Sequence, residues 1–232
     1  MPAWLLFFIV PLVFGLWAQH WVKSSFAKWS QVPANSGSGA DVAARILAAN
    51  GLTAGVGSAG GGRGVVSISI TPGQLSDHYD PRDRSLHLSQ DVGQATSVAS
   101  VAVAAHEVGH AIQHAKSYAF FKFRSTLFPA VQFASNIWML FLLGGIFLQI
   151  TGFIVLAIAL YAVAVLFTLV TLPVEFDASS RAKRQLTDLG LVASNEAAGV
   201  QSTLKAAAWT YVAGALAAVA QLLYFLSLLS NR

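Results

Sequence analysis

His106, Glu107 and His110 form His-Glu-x-x-His inside Val101-Ala102-Val103-Ala104-Ala105-His106-Glu107-Val108-Gly109-His110, a segment otherwise made of Ala, Val and Gly. On a helix, two histidines four residues apart lie one above the other on one face, so their imidazoles can converge on a single ion. That spacing predicts zinc-assisted peptide hydrolysis. His106 and His110 would bind Zn²⁺ through nitrogen at about 2.0–2.1 Å, leaving positions for a third protein ligand and water. Glu107 would accept the water's proton during attack on a peptide carbonyl and pass it to the leaving amine. The alternative is a pair of histidines satisfied by ordinary polar contacts. Against it, three ionisable groups among Ala and Val are costly to bury without a metal or hydrogen-bond partners.

The chain has no cysteine, so any metal must be held by His, Asp and Glu, and thiolate zinc sites, disulfides and cysteine nucleophiles are excluded. Beyond the motif, Glu175, Asp177, Asp188 and Glu196 are the candidates for the third ligand. Glu175 leads, because an acid beside the end of an apolar block is hard to explain as surface charge. Asp177 suits acceptance of a ring N–H from a ligating histidine, or stabilisation of a helix N-terminus. His114 extends the histidine face by one turn but would need a sharply bent helix to reach the same ion, so it reads as a structural or cleft-lining residue. His78, Tyr79 and Arg82 could hydrogen-bond an oxyanion from a loop, or belong to a turn tied together by Asp77 and Asp80. Arg181 is a further oxyanion or carboxylate contact, or simply a topology charge.

The elements that must position these residues sit in an unusual composition. Of the 232 residues, 55% are hydrophobic and 10% charged, against about 25% charged in a typical soluble domain. Lipid therefore solvates much of the chain. The net charge of +4 contains no basic run able to track a phosphate backbone, so nucleic acid is not an expected partner. Residues 3–22 are apolar enough for a first span, with Trp4, Trp17 and Trp21 near its ends. The lack of preceding Lys or Arg and of an A-x-A-like site favours an uncleaved anchor over a signal peptide. A Pro/Gly/Asn/Ser linker (31–39) and a short amphipathic helix (41–49) follow. The Gly-rich stretch 52–63 reads as a mobile loop, since it matches neither phosphate-cradling glycine pattern. Residues 65–71 and 85–89 alternate in the manner of half-buried strands, predicting a β-hairpin or small sheet before a motif helix over 94–116. The Leu86 strand is the expected edge for pairing with a substrate backbone.

From Phe128 to Leu172 the chain is almost uncharged, enough for two spans of about 20 residues with a tip at 149–152. A polar helix through Arg181, Lys183 and Arg184 follows, and 206–229 forms the final span. The division is then 1–22, first transmembrane helix; 23–127, linker, small α+β region and motif helix; 128–172, transmembrane hairpin; 173–205, third-ligand helix and polar segment; 206–232, fourth transmembrane helix. Charge asymmetry agrees with a four-span count. Nine Lys and Arg fall between Lys23 and Arg124 and four between Arg181 and Lys205, leaving Arg232 alone. This puts the motif and Glu175 on the cytoplasmic side and both termini outside.

Several long strings resemble the YugP-type neutral zinc metallopeptidases, which are bacterial membrane proteins. They are Leu16-Trp17-Ala18-Gln19, Ala48-Ala49-Asn50-Gly51-Leu52, Leu75-Ser76-Asp77-His78-Tyr79-Asp80-Pro81-Arg82, Val103 through His114, and Thr171-Leu172-Pro173-Val174-Glu175-Phe176-Asp177-Ala178-Ser179, with Val32-Pro33 and the Ser-Gly linker between them. The arrangement also looks like the membrane gluzincins that include the CAAX prenyl protease and the heat-shock membrane protease. In those proteins, spans separate the His-Glu-x-x-His helix from a Glu-bearing one. The resemblance implies Glu175 as ligand and a bacterial cytoplasmic (inner) membrane location. It departs at one place: that group has Asp four residues after the Glu, where this chain has Ser179.

The expected fold is a mainly α integral membrane protein of four transmembrane helices with a cytoplasmic-side, zincin-like α+β catalytic region. The expected activity is metalloendopeptidase cleavage of membrane-proximal or misfolded proteins, with one Zn²⁺ per chain. A non-catalytic metal-held scaffold would not need a carboxylate between its histidines. A zinc transporter would need ionisable residues within its spans.

Overall fold

The computed structural model describes residues 4–56, 64–74 and 76–230. Residues 57–63, the centre of the Gly-rich stretch, lie outside that description, as do Leu75 and Arg232. The first helix, α1 (Trp4–Ser30), leads through the linker to α2 (Gly39–Ala49). Ser38 caps α2 reciprocally with Asp41: the serine hydroxyl accepts from the Asp41 N–H while the aspartate accepts from the Ser38 N–H. Val42, Ala43, Ile46 and Leu47 recur at helical spacing and are fully buried.

The sheet differs from a simple hairpin. Strands β1 (Thr53–Val56), β2 (Val65–Thr71), β3 (His78–Asp80) and β4 (Ser85–Ser89) lie in the order β1-β2-β4-β3. β1 and β2 are parallel, β2 and β4 are parallel, and only β3 and β4 form an antiparallel hairpin. Two expectations are thereby corrected. The start of the Gly-rich stretch is a strand, because Thr53–Val56 finds a partner in β2 that local sequence cannot reveal. The Leu86 strand is interior, with β2 on one side and β3 on the other, so its backbone groups are already paired and it cannot accept a substrate strand. The edges are β1 and β3.

A short helix, α3 (Gln90–Gly93), precedes α4 (Val98–Ala115). The motif helix thus starts at Val98 rather than 94, because Ser97 and Ser100 form a capping box that fixes the new N-terminus. α4 is apolar all round because it is enclosed all round. Val101, Ala102, Ala104, Ala105 and Val108 are at most 1% exposed. Their core continues into α2, Leu86 and Leu88 of the sheet, Val174, Ala182 and Leu186 of α6 (Thr151–Asp188), and Val200 and Leu204 of α7 (Ala197–Ser230).

Between α4 and α6 comes α5 (Ala119–Phe147), and α5 and α6 form a hairpin with Gln149 in the left-handed region (φ 56°) at its tip. α6 continues through Pro173 to Asp188, so the apolar block and the Glu175 segment are one helix. Among the described residues, three helices, α5, α6 and α7, are long and apolar enough to cross a membrane. Large apolar side chains such as Phe133, Leu140, Leu156 and Leu223 face outward. α1 lies outside that set of three but presents the same outward apolar surface at Phe8, Leu12 and Leu16. It runs antiparallel to α7: the Phe8 and Tyr224 rings meet at 5.1 Å, Phe14 and Trp209 at 5.9 Å, and Ser25 and Ser202 hydrogen-bond at 3.0 Å.

Candidate metal centre

α4 and α6 bring His106, His110 and Glu175 together. A ligand atom from each lies within 4.8 Å of the others, and all three residues are buried. Glu175 Oε2 is 3.2 Å from His106 Nε2 and 3.5 Å from His110 Nε2. This close approach of the two helices depends on Gly109. A Cβ there would stand 2.7 Å from the Ala178 carbonyl oxygen, so any larger residue would push the Glu175 helix away.

Both rings are fixed from behind. The Gln113 amide donates through Nε2 to the Val174 carbonyl and to Asp177 Oδ2, each at 2.8 Å. Since both partners accept only, the Gln113 oxygen is turned toward His110 Nδ1, 3.0 Å away, and the imidazole donates to it. The lone pair of neutral His110 then sits on Nε2, facing Glu175. Ser179 Oγ stands 3.1 Å from His106 Nδ1 and provides the equivalent partner there. Two imidazole nitrogens and a carboxylate oxygen, buried and converging, with the His110 tautomer set by Gln113, suit a borderline-soft divalent ion such as zinc. Burial disfavours a charged His110, but the hydrogen bond to Glu175 and the charges of Glu175 and Glu107 outweigh it and raise its pKa. An incoming metal therefore displaces a proton at low pH.

A cleft of about 1140 Å³ opens above the cluster, with Glu107, His110 and Glu175 in its wall. Tyr79, on edge strand β3, and His114 both line it. The Tyr79 hydroxyl is 2.9 Å from His114 Nδ1. Burial pushes the Tyr79 phenol up and holds the His114 imidazole down, the latter reinforced by Arg84. His78 also lines the cleft, stacked on His87 with ring centroids 4.7 Å apart. Arg82 lines the cleft as well and is tied to Asp80 at 2.6 Å, while Asp77 accepts from the Ser89 N–H at 2.7 Å.

Two expected contacts differ. Asp177 reaches no imidazole; it accepts from Gln113 and, at 2.5 Å, from Arg181 Nε. Arg181 points to Asp177 and the Tyr118 ring, 5.7 Å from its centroid, and takes no part in the cleft wall. Sequence reading passed over Gln113 and Arg124 and gave Ser179 no role. Arg124, on α5, has a guanidinium nitrogen 3.6 Å from Glu175 Oε1. Gln113 stands three residues after His110 and Ser179 four after Glu175, spacings that put each on the helical face of a ligand residue.

Fold and site define a class: a mainly helical protein with three helices long and apolar enough to cross a membrane among its described residues, a small sheet, and a buried His-His-Glu cluster able to hold a metal ion. A family model described as "Putative neutral zinc metallopeptidase" matches residues 4–230, and the chain belongs to that family. Over 224 residues it is 45% identical to "Putative membrane protease YugP" of Bacillus subtilis (strain 168), a match covering 96% of this chain and 95% of that protein. The resemblance drawn from the motifs is borne out. No solved structure matches the chain.

Proposed function

We propose that the protein is an integral-membrane zinc endopeptidase in which His106, His110 and Glu175 hold one Zn²⁺ per chain. The observation that carries this reading is the convergence of three buried donor side chains from α4 and α6 in the wall of a cleft that also presents Glu107. When bound, zinc supplies Lewis acidity at neutral pH. Glu107 takes the proton of the attacking water and delivers it to the leaving amine nitrogen. Gln113 holds His110 in the tautomer that presents Nε2, Ser179 orients the His106 ring from its Nδ1 side, and Asp177 anchors Gln113, with Arg181 bracing Asp177. β3, the sheet edge beside α4, offers unpaired backbone groups to an extended peptide, and His114 and His78 flank that path.

The substrates in this reading are membrane-proximal or misfolded proteins. α1 serves as a fourth span beside α5, α6 and α7, with the site on the cytoplasmic side and both termini outside. The antiparallel α1–α7 packing supports this, since it brings Phe8 and Tyr224 to one end. Glu175→Ala tests the ligand set. Bound zinc, measured on the purified variant, falls well below one per chain, and peptidase activity falls with it. Undiminished zinc binding would show that Glu175 is not a ligand and overturn the proposed set.

A further inference from the structure

The cleft crosses from a charged level of the molecule to an apolar one. Beyond Arg124 on α5, before Glu175 on α6 and beyond Lys205 on α7, these helices carry no Asp, Glu, Lys or Arg. Arg124 and Glu175 face each other at 3.6 Å, so the last charges of α5 and α6 lie at one height. The cleft wall includes both of them, yet it also includes Phe128, Phe167 and Tyr211 from the uncharged parts of the three helices. Phe128 and Phe167 meet with ring centroids 6.2 Å apart, and the Arg124 guanidinium lies 5.8 Å from the Phe167 centroid. The cleft therefore has a polar mouth at the sheet edge and an aromatic end inside the apolar layer, with the His-His-Glu cluster between them.

The spacing sets a length. Phe167 precedes Glu175 by eight residues, about 12 Å along the helix at roughly 1.5 Å per residue. An extended peptide covers that distance in about four residues. Resting on the peptidase reading above, we propose that the aromatic end receives an apolar polypeptide segment emerging from the bilayer. The substrates are then membrane-anchored polypeptides, cut about four residues from the end of their apolar segment. The occupant is a polypeptide because the aromatic end is continuous with the wall that carries Glu107 and the edge strand, the backbone-reading parts of the same cleft.

The test uses the full-length, zinc-loaded protein in vesicles of phosphatidylethanolamine and phosphatidylglycerol. Two substrates share one apolar helix and one cleavable sequence, placed about four or about twelve residues from the helix end. Both are equally concentrated in the membrane, so only the geometry differs. The short-spaced substrate is expected to be cut about tenfold faster, the scale of burying one large apolar side chain. Its cut site should move with the helix end when the helix is lengthened. Phe128→Ser should bring the ratio of the two rates toward one while zinc content stays unchanged. Equal, Glu107-dependent cleavage of both substrates, as expected if a lipid tail fills the aromatic end, overturns this inference and leaves the peptidase reading standing. Cleavage of neither overturns both.

Discussion

Each imidazole of the His106–His110 pair is held by its own hydrogen-bond partner, and the two partners differ in kind. Ser179 gives His106 a hydroxyl, whereas His110 is held through Gln113 to a backbone carbonyl and a carboxylate. Gln113→Ala should therefore weaken zinc binding by about 10–100-fold, the usual effect of removing a ligand's outer partner, in competition titrations with a chelator. Unchanged affinity would mean that the ring keeps its orientation without the amide. At this scale the sequence was most informative where chemistry and spacing coincide. His106, Glu107, His110 and Glu175 are rare ionisable residues in apolar surroundings, and all four meet at one place. Gln113 and Ser179 are uncharged and abundant types, so only knowledge of which helix faces which makes them stand out. Asp177 was expected to accept a ring N–H directly, whereas its carboxylate meets the Gln113 amide and Arg181.

The pairing of α4 with α6 is what makes four residues into a site, and the two helices approach most tightly at Gly109. Gly109 lies against Ala178, and the neighbouring Val108 and Val174 are fully buried. Gly109→Val should drive the helices apart, with a loss of roughly 1–3 kcal/mol typical of overpacking and a drop in zinc affinity larger than stability alone explains. Thermal unfolding with and without zinc separates the two effects; a variant with wild-type zinc affinity would show that the close approach is dispensable. Helices were legible as elements because apolar runs and caps are local signals. Strands β2 and β4 were legible in the same way from their alternation, but the order of the sheet was not, since β1 joins β2 and β2 joins β4 in parallel across intervening chain, and parallel neighbours are specified by tertiary contact rather than by turn residues. For the same reason the free edge fell to β3, a strand of three residues inside what reads as a turn.

The whole molecule stacks a sheet-and-helix layer, which carries nearly all the charge, on a bundle of apolar helices, with the metal cluster where they join. The proposed four-span arrangement places a reporter at Ala34 on the opposite side of the membrane from one fused at the C-terminus after α7, and accessibility labelling of both in intact cells reads the answer. Finding the two on one side would overturn that span count, because α5, α6 and α7 are the crossings that lie between them. The central claim is that Glu107 performs proton transfer at a zinc centre it does not itself hold. It is tested most directly by measuring zinc content and proteolysis of an unfolded model protein for wild type and Glu107→Gln. The variant is expected to retain its zinc while activity falls by about 10²–10⁴-fold, the usual weight of a general base. A zinc-loaded variant with full activity would contradict the account.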